Sequence, residues 1–219
     1  MKKNILSLFV LATLSLTVAC KKEATTTEAE TVATATDSSA VYKVDKATSL
    51  IDWTGKKPAG QHTGTIAISE GEVTVKGNVL ESGKFTFDMK SITVTDLKEA
   101  DGKGDLENHL KGTGDKAGED HFFNTTKFPT GTFEITKATV ADGKTNIEGN
   151  LTLKGVTKNV KFPATVVADA TGVTITSDVF TINRTEWGVN YASKSLQDDL
   201  KDKFINDDIE LKVTVKATK

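Results

Sequence analysis

Few residues in this 219-residue chain have the types and spacing for chemistry. No Gly-x-Ser-x-Gly elbow and no Ser/His/Asp set is recognisable, and no Gly-rich phosphate loop leads into a helix. The paired carboxylates Asp198-Asp199 and Asp207-Asp208 are neighbours in sequence, so on a strand they point to opposite faces and make no acid/base pair. No catalytic residue is assigned, and the chain is not expected to be an enzyme. His109 and His121 flank a Gly-rich stretch and could meet across it with Glu119 or Asp120 nearby. Neither spacing matches a familiar ligand motif, so both are read as rim residues and no metal is expected. His109 could fix its loop by a hydrogen bond or meet a polar group of a ligand. His62 reads as a solvated strand end. The planar fork of Arg184 suits charged oxygens: it could bind a phosphate or another ligand oxygen, or pair with Asp88, Glu186 or Asp207 and lock a loop onto the fold.

The remaining reactive group is Cys20, the one cysteine. Residues 1–19 read as a bacterial export signal, with Lys2 and Lys3 followed by an apolar run through Leu16 and then small residues. That run is shorter than the roughly 20 apolar residues that span a bilayer. Leu16-Thr17-Val18-Ala19-Cys20 is similar to a lipoprotein signal box, in which the cysteine is acylated and becomes the new N-terminus. The expectation is lipidation at Cys20, a membrane contact through that N-terminus, and a cell-envelope location facing the periplasm or the cell surface. Residues 20–40 are rich in Thr, Ala, Glu and Ser without an aromatic before Tyr42, a composition that buries too little apolar surface to offset its ordering entropy. They are read as a lipidated flexible stalk, and residues 41–219 as one domain. Without the signal the chain carries 26 basic and 30 acidic residues, a net charge of −4, with no basic stretch to track phosphates. Nucleic acid is not an expected partner.

From Val41 onward apolar residues alternate with polar ones: Val73, Val75 and Val79; Phe85, Phe87 and Met89; Phe133 and Ile135; Ile147, Leu151 and Leu153; Ile209, Leu211, Val213 and Val215. Turn signals separate them at Glu70-Gly71, Ser82-Gly83, Asp142-Gly143, Lys154-Gly155 and Thr171-Gly172. Such closely joined strands run antiparallel. The alternation changes phase between Met89 and Ile92 and again between Val179 and Phe180, which predicts bulges near Ser91 and Ser177-Asp178 that bend the sheet. The fold class is all-β, an antiparallel barrel of about eight to nine strands, preferred over a sandwich because closure removes open edges. Two excursions, from Asp96 to about Thr126 and from Arg184 to Asn206, carry one or two short helices and cover one end or carry function.

Several stretches together resemble the YceI-like family of lipocalin-like proteins that bind polyisoprenoid or related lipids. They are Tyr42-Lys43-Val44-Asp45 through Trp53; Phe85-Thr86-Phe87-Asp88 with Ser91-Ile92-Thr93-Val94; His109-Leu110-Lys111; Phe122-Phe123 with Lys127-Phe128-Pro129; Gly149 to Lys158; and Ile182 to Val189. The insert between Lys111 and Phe122 departs from the family pattern. The resemblance implies an apolar lumen holding an isoprenoid chain or quinone, with no cofactor beyond that ligand. The alternation nominates Phe85, Phe87, Met89, Phe133, Ile135, Ile147, Leu151, Leu153, Phe162, Ile175, Phe180 and Ile182 as its lining. These residues could instead fill a small barrel completely. Gly77, Gly149 and Ala164, small residues at inward phase, would leave room. His109, Arg184 and Trp187 are the rim candidates. A second reading is a solid barrel acting as an interaction or stress-protective module, binding a protein partner through loops anchored by exposed Trp187 and Tyr191.

Overall fold

The computed structural model describes the backbone from Lys22 and the side chains from Ala24 to Lys219; the expected export signal and Cys20 lie outside the described residues. Twelve strand segments form one sheet: β1 (Lys22–Glu23), β2 (Thr25–Glu28), β3 (Ala40–Val44), β4 (Leu50–Lys57), β5 (Gly60–Lys76), β6 (Val79–Val94), β7 (Thr130–Ala141), β8 (Lys144–Leu153), β9 (Val156–Ala168), β10 (Gly172–Ser177), β11 (Phe180–Asn183) and β12 (Asp208–Thr218). The ring closes because β12 pairs with β10 and β11 along one edge and with β4 and β3 along the other. Since β3/β4 and β10/β11 each share one place in the wall, the barrel has eight positions, all antiparallel. The expected barrel is thus the observed one.

The hairpins Asp142-Gly143 and Lys154-Gly155 turn with positive φ at both central residues, the conformation whose twist matches that of the flanking strands. Two other glycine pairs expected to turn do not. Glu70-Gly71 and Ser82-Gly83 lie inside β5 and β6, and the turn between those strands is Gly77-Asn78, with φ of 55° and 67°. Gly71 and Gly83 are needed for close approach instead: a Cβ on Gly71 would lie 2.8 Å from Val44 and 2.9 Å from the Lys84 carbonyl, and one on Gly83 3.1 Å from Ile135. Val79, just past the true turn, is accordingly exposed.

The phase change at Ser91 is a bulge. Thr65 and Ala67 of β5 face Thr93 and Asp88 of β6, so the partner strand carries extra residues there. The Ser91 hydroxyl takes over the ladder, accepting from the Ala67 amide at 2.8 Å and donating to the Asp88 carbonyl at 2.6 Å. Phe87, Met89, Ile92 and Val94 all remain buried as a result. At Ser177-Asp178 the interruption goes further: β10 ends, Val179 turns out to solvent, and β11 resumes along β12.

That break leaves β11 and the first half of β9 without each other, and the segment after Cys20 fills the seam. Lys22 and Glu23 pair in parallel with Phe180 and Thr181, and Thr25 to Glu28 pair with Lys161 to Lys158 of β9. The chain then crosses the outside of the wall. Glu30 and the Asn150 side chain exchange two hydrogen bonds of 2.9 and 2.7 Å, the Ala33 amide donates to the Ile135 carbonyl freed by a bulge in β7, and Thr36 meets Glu81. Much of the segment expected to be a flexible stalk is therefore a strap on the barrel. Its composition indeed buries little beyond Ala24; hydrogen bonds to open strand edges hold it, a term that composition does not report.

The excursion Asp96 to Thr126 contains the one α-helix among the described residues, α1 (Lys103–Lys111), flanked by 3₁₀ turns at Glu99–Asp101 and Gly114–Lys116. Glu107 of α1 accepts from the Val94 amide at the end of β6, and the Phe123 and Thr125 amides donate back to Leu110 and Lys111. These bonds set α1 and the Phe122-Phe123 loop over one end of the barrel.

Candidate ligand-binding cavity

Beneath that end lies a cavity of about 320 Å³, and deeper in the barrel a second of about 60 Å³. The upper cavity is walled by strand residues such as Ile66, Met89, Ile92 and Ile209, and roofed by Leu106, Leu110, Phe122, Phe123, Val189 and Ile205 from the two excursions. Ile51, Phe87, Leu151 and Leu211 border both cavities and form a waist between them. All twelve residues nominated from the alternation face one cavity or the other. The open and filled alternatives each hold for one half. Phe85, Phe133, Phe162 and Phe180 form a row across the lower half, with successive ring centroids 6.4, 5.7 and 4.4 Å apart, and leave little space. The upper half is open.

The small residues do not provide that space. Gly77 is the turn residue, and a Cβ on Gly149 would lie 2.3 Å from the Phe133 ring, so Gly149 makes room for Phe133. Neither glycine nor Ala164 lines a cavity. Ile51, Ile66, Ile92 and Leu211 are lining residues that the alternation could have supplied. Trp53 also lines the upper cavity, lying over Gly64, where a Cβ would come within 2.4 Å of the indole. The roof residues Leu106, Leu110, Phe122 and Phe123 have no signal in a period of two.

Polar side chains gather at the roofed end. Arg184, the chain's single arginine, is 2% exposed. Its guanidinium donates to the carbonyls of Asn206 (3.1 Å), Val189 (2.6 Å) and Ile205 (3.2 Å) and lies 3.5 Å from an Asp207 carboxylate oxygen. Arg184 borders the upper cavity, and these carbonyls engage its fork, which locks the loop between β11 and β12. Trp187 is fully buried, donating from Nε1 to the Leu151 carbonyl at 3.0 Å. It is lid packing, and the reading of Trp187 as an exposed protein anchor is corrected. Tyr191 is half-buried against His109, His121 and Phe122. His62 hydrogen-bonds Asp96 at 3.0 Å. Burial opposes the Asp96 charge, yet bonds from the Thr63 amide and His62 outweigh it and hold that carboxyl below the ordinary carboxylate range. His109 borders the cavity, and burial, with the nearby His121 and Lys116 charges, lowers its pKa and favours the neutral imidazole. His109 and His121 do meet across the insert, with Nε2 of one 2.9 Å from Nδ1 of the other.

An eight-position antiparallel barrel with an apolar lumen and a helical roof defines a lipocalin-like fold. Residues 42–217 match the model of the YceI-like domain, and the chain belongs to that family. It is similar in fold to BcnA of Burkholderia cenocepacia, with a TM-score of 0.60 at 22% identity over 80% of this chain and 99% of the other. A polyisoprenoid binding domain from Saccharophagus degradans, implicated in plant cell wall breakdown, gives a TM-score of 0.55 at 14% identity over 81% and 97% of the two chains. The chain is also 35% identical over 92 residues to a UPF0312 protein of Pseudomonas aeruginosa. That match spans 39% of this chain and 44% of the relative, less than half the length of either.

Proposed function

We propose that this protein binds an apolar lipid chain of isoprenoid type, a polyprenyl lipid or a quinone tail, in the barrel lumen, as an exported lipoprotein anchored through Cys20. The observation that carries the reading is the upper cavity, a roofed space of about 320 Å³ with an almost wholly apolar lining, continued past the waist by a second apolar void. Transfer of apolar surface from water into such a space is favourable by about 25 cal/mol per Å², and cavities of this size suit small ligands. The polyisoprenoid binding domain of similar fold supports the ligand class. No covalent step is assigned: the protein shields and carries its ligand at the cell envelope, facing the periplasm or the outer surface, without nucleic acid. The solid-barrel interaction module loses its supports, since the lumen is partly open and Trp187 is buried.

Purification from a lipid-containing host, solvent extraction and mass spectrometry should recover an isoprenoid lipid. Delipidated protein should take up a polyprenyl or quinone probe saturably. No extractable lipid together with no uptake would overturn the reading.

A further inference from the structure

The insert after α1 gathers three ligand-type atoms. Gly112 ends the helix with φ 69°, and the loop folds back so tightly that a Cβ on Gly112 would lie 3.1 Å from the Glu119 carbonyl. This return places Glu119 and His121 beside His109. His121 Nδ1 is 2.9 Å from His109 Nε2 and 3.0 Å from Glu119 Oε2, and the three atoms all lie within 4.8 Å of one another. The aromatic surroundings fix both rings: Tyr191 stacks on His121 at 4.3 Å between centroids and meets His109 edge-on at 4.8 Å, with Phe122 5.1 Å from His109.

The proton count of this cluster is incomplete. Nδ1 of His121 carries at most one hydrogen, yet it faces two atoms, one of them a carboxylate oxygen that can only accept. Glu119 Oε2 is buried and has no hydrogen-bond partner among the described residues; its approach to His121 meets the distance of an ion pair without hydrogen-bond geometry. Three atoms able to present lone pairs thus converge where one proton cannot satisfy them, and a single cation would.

We propose that His109 Nε2, His121 Nδ1 and the Glu119 carboxylate form a binding site for a late first-row divalent metal ion, Zn²⁺ being the reference case, at the roof of the cavity. Two imidazoles and one carboxylate suit such an ion and suit Ca²⁺ or Mg²⁺ poorly. With metal–nitrogen bonds of about 2.0–2.1 Å in a tetrahedral site, the two nitrogens would stand about 3.3 Å apart, a widening of a few tenths of an ångström. Lys116 already lies 3.4 Å from the other Glu119 oxygen and would orient the carboxylate. Three protein ligands leave one position for water. The ion would tie the end of α1 to the insert beside Tyr191, and both His109 and Tyr191 also line the cavity, so it would brace the roof. This departs from the sequence expectation of no metal, because the ligands are brought together by the returning loop and not by helical spacing.

The purified chain, stripped with a chelator, is titrated with Zn²⁺ by calorimetry. One equivalent should bind, while Ca²⁺ should not. Loss of an outer partner of a metal ligand typically costs about 10–100-fold in affinity, so His121→Gln and Glu119→Gln should each weaken binding by at least about tenfold. His121 is only half-buried, so its variant should keep the native circular dichroism; if neither variant folds, slowed hydrogen exchange over residues 109–121 of the unaltered protein on adding Zn²⁺ is the deciding readout. Absence of saturable uptake, unchanged affinity in the folded variants, or exchange that ignores Zn²⁺ would overturn the proposal.

Discussion

Asp207 shows how a single residue couples the roof to pH. Burial alone would raise its pKa, but bonds from Ser193 and Ser195 and the charge of Arg184 outweigh that and leave it lowered. A carboxylate whose folded pKa lies below its unfolded value of about 3.9 contributes stability that is fully present above that pH and is lost as the pH falls through the folded pKa. The Asp207 contribution to thermal stability should therefore be constant near neutrality and fall off below about pH 4. Asp207→Asn should start lower, because it leaves Arg184 buried without its counter-charge, and its acid limb should be shallower. Acid limbs of equal slope would contradict this assignment. Gly149 gives a second test. A methyl group there collides with the Phe133 ring, so Gly149→Ala should lower the unfolding free energy by about 1–3 kcal/mol, as over-packing does, read from a denaturant titration; no loss would mean that the Phe133 row has slack. At this scale the sequence was only partly legible. The inward phase of Phe133 and Leu151 follows from alternation, but whether Gly149 makes room for a ligand or for a neighbouring ring depends on a contact across strands. Arg184 likewise had two roles open to it by type, and only the path of the returning loop brought backbone carbonyls to its fork.

Among the elements, what could be read depended on period. Strands announced themselves by twos, and even the bulge at Ser91 followed from a change of phase. Turn signals were less faithful, because Gly71 and Gly83 serve close packing within long strands while Gly77-Asn78 makes the turn. A short helix was expected somewhere in the excursion that carries α1, but its bounds were not, since a nine-residue helix fixed by Glu107 and loop amides has little periodicity of its own. The waist between the cavities carries the functional expectation at this scale. Phe87→Ala should join the two voids at a cost of about 3–5 kcal/mol in stability. Mass spectrometry of the retained lipids should then show a shift toward longer chains, whereas an unchanged length distribution would show that the waist does not limit how deeply a chain enters.

At the scale of the whole molecule, the barrel and its family were legible because most stretches that carry the resemblance lie in strands or in the turns and loops that join them. The strap was not legible, because hydrogen bonding to a strand edge leaves no mark on hydrophobicity. Yet it closes the break between β10 and β11. Removing residues 22–36 should raise hydrogen exchange at Val160–Lys161 and Thr181 by exposing edges that are now paired. Unchanged protection there would mean that the barrel seals without the strap.

The strap also bears on orientation. Only Lys21 separates Cys20 from Lys22, and two residues of chain reach at most about 7 Å. A free stalk of about 20 residues would instead allow a root-mean-square separation of about 22–27 Å. An acyl group on Cys20, as proposed, would then keep the seam between β9 and β11 close to the lipid surface, where a free stalk would let the barrel range over several nanometres.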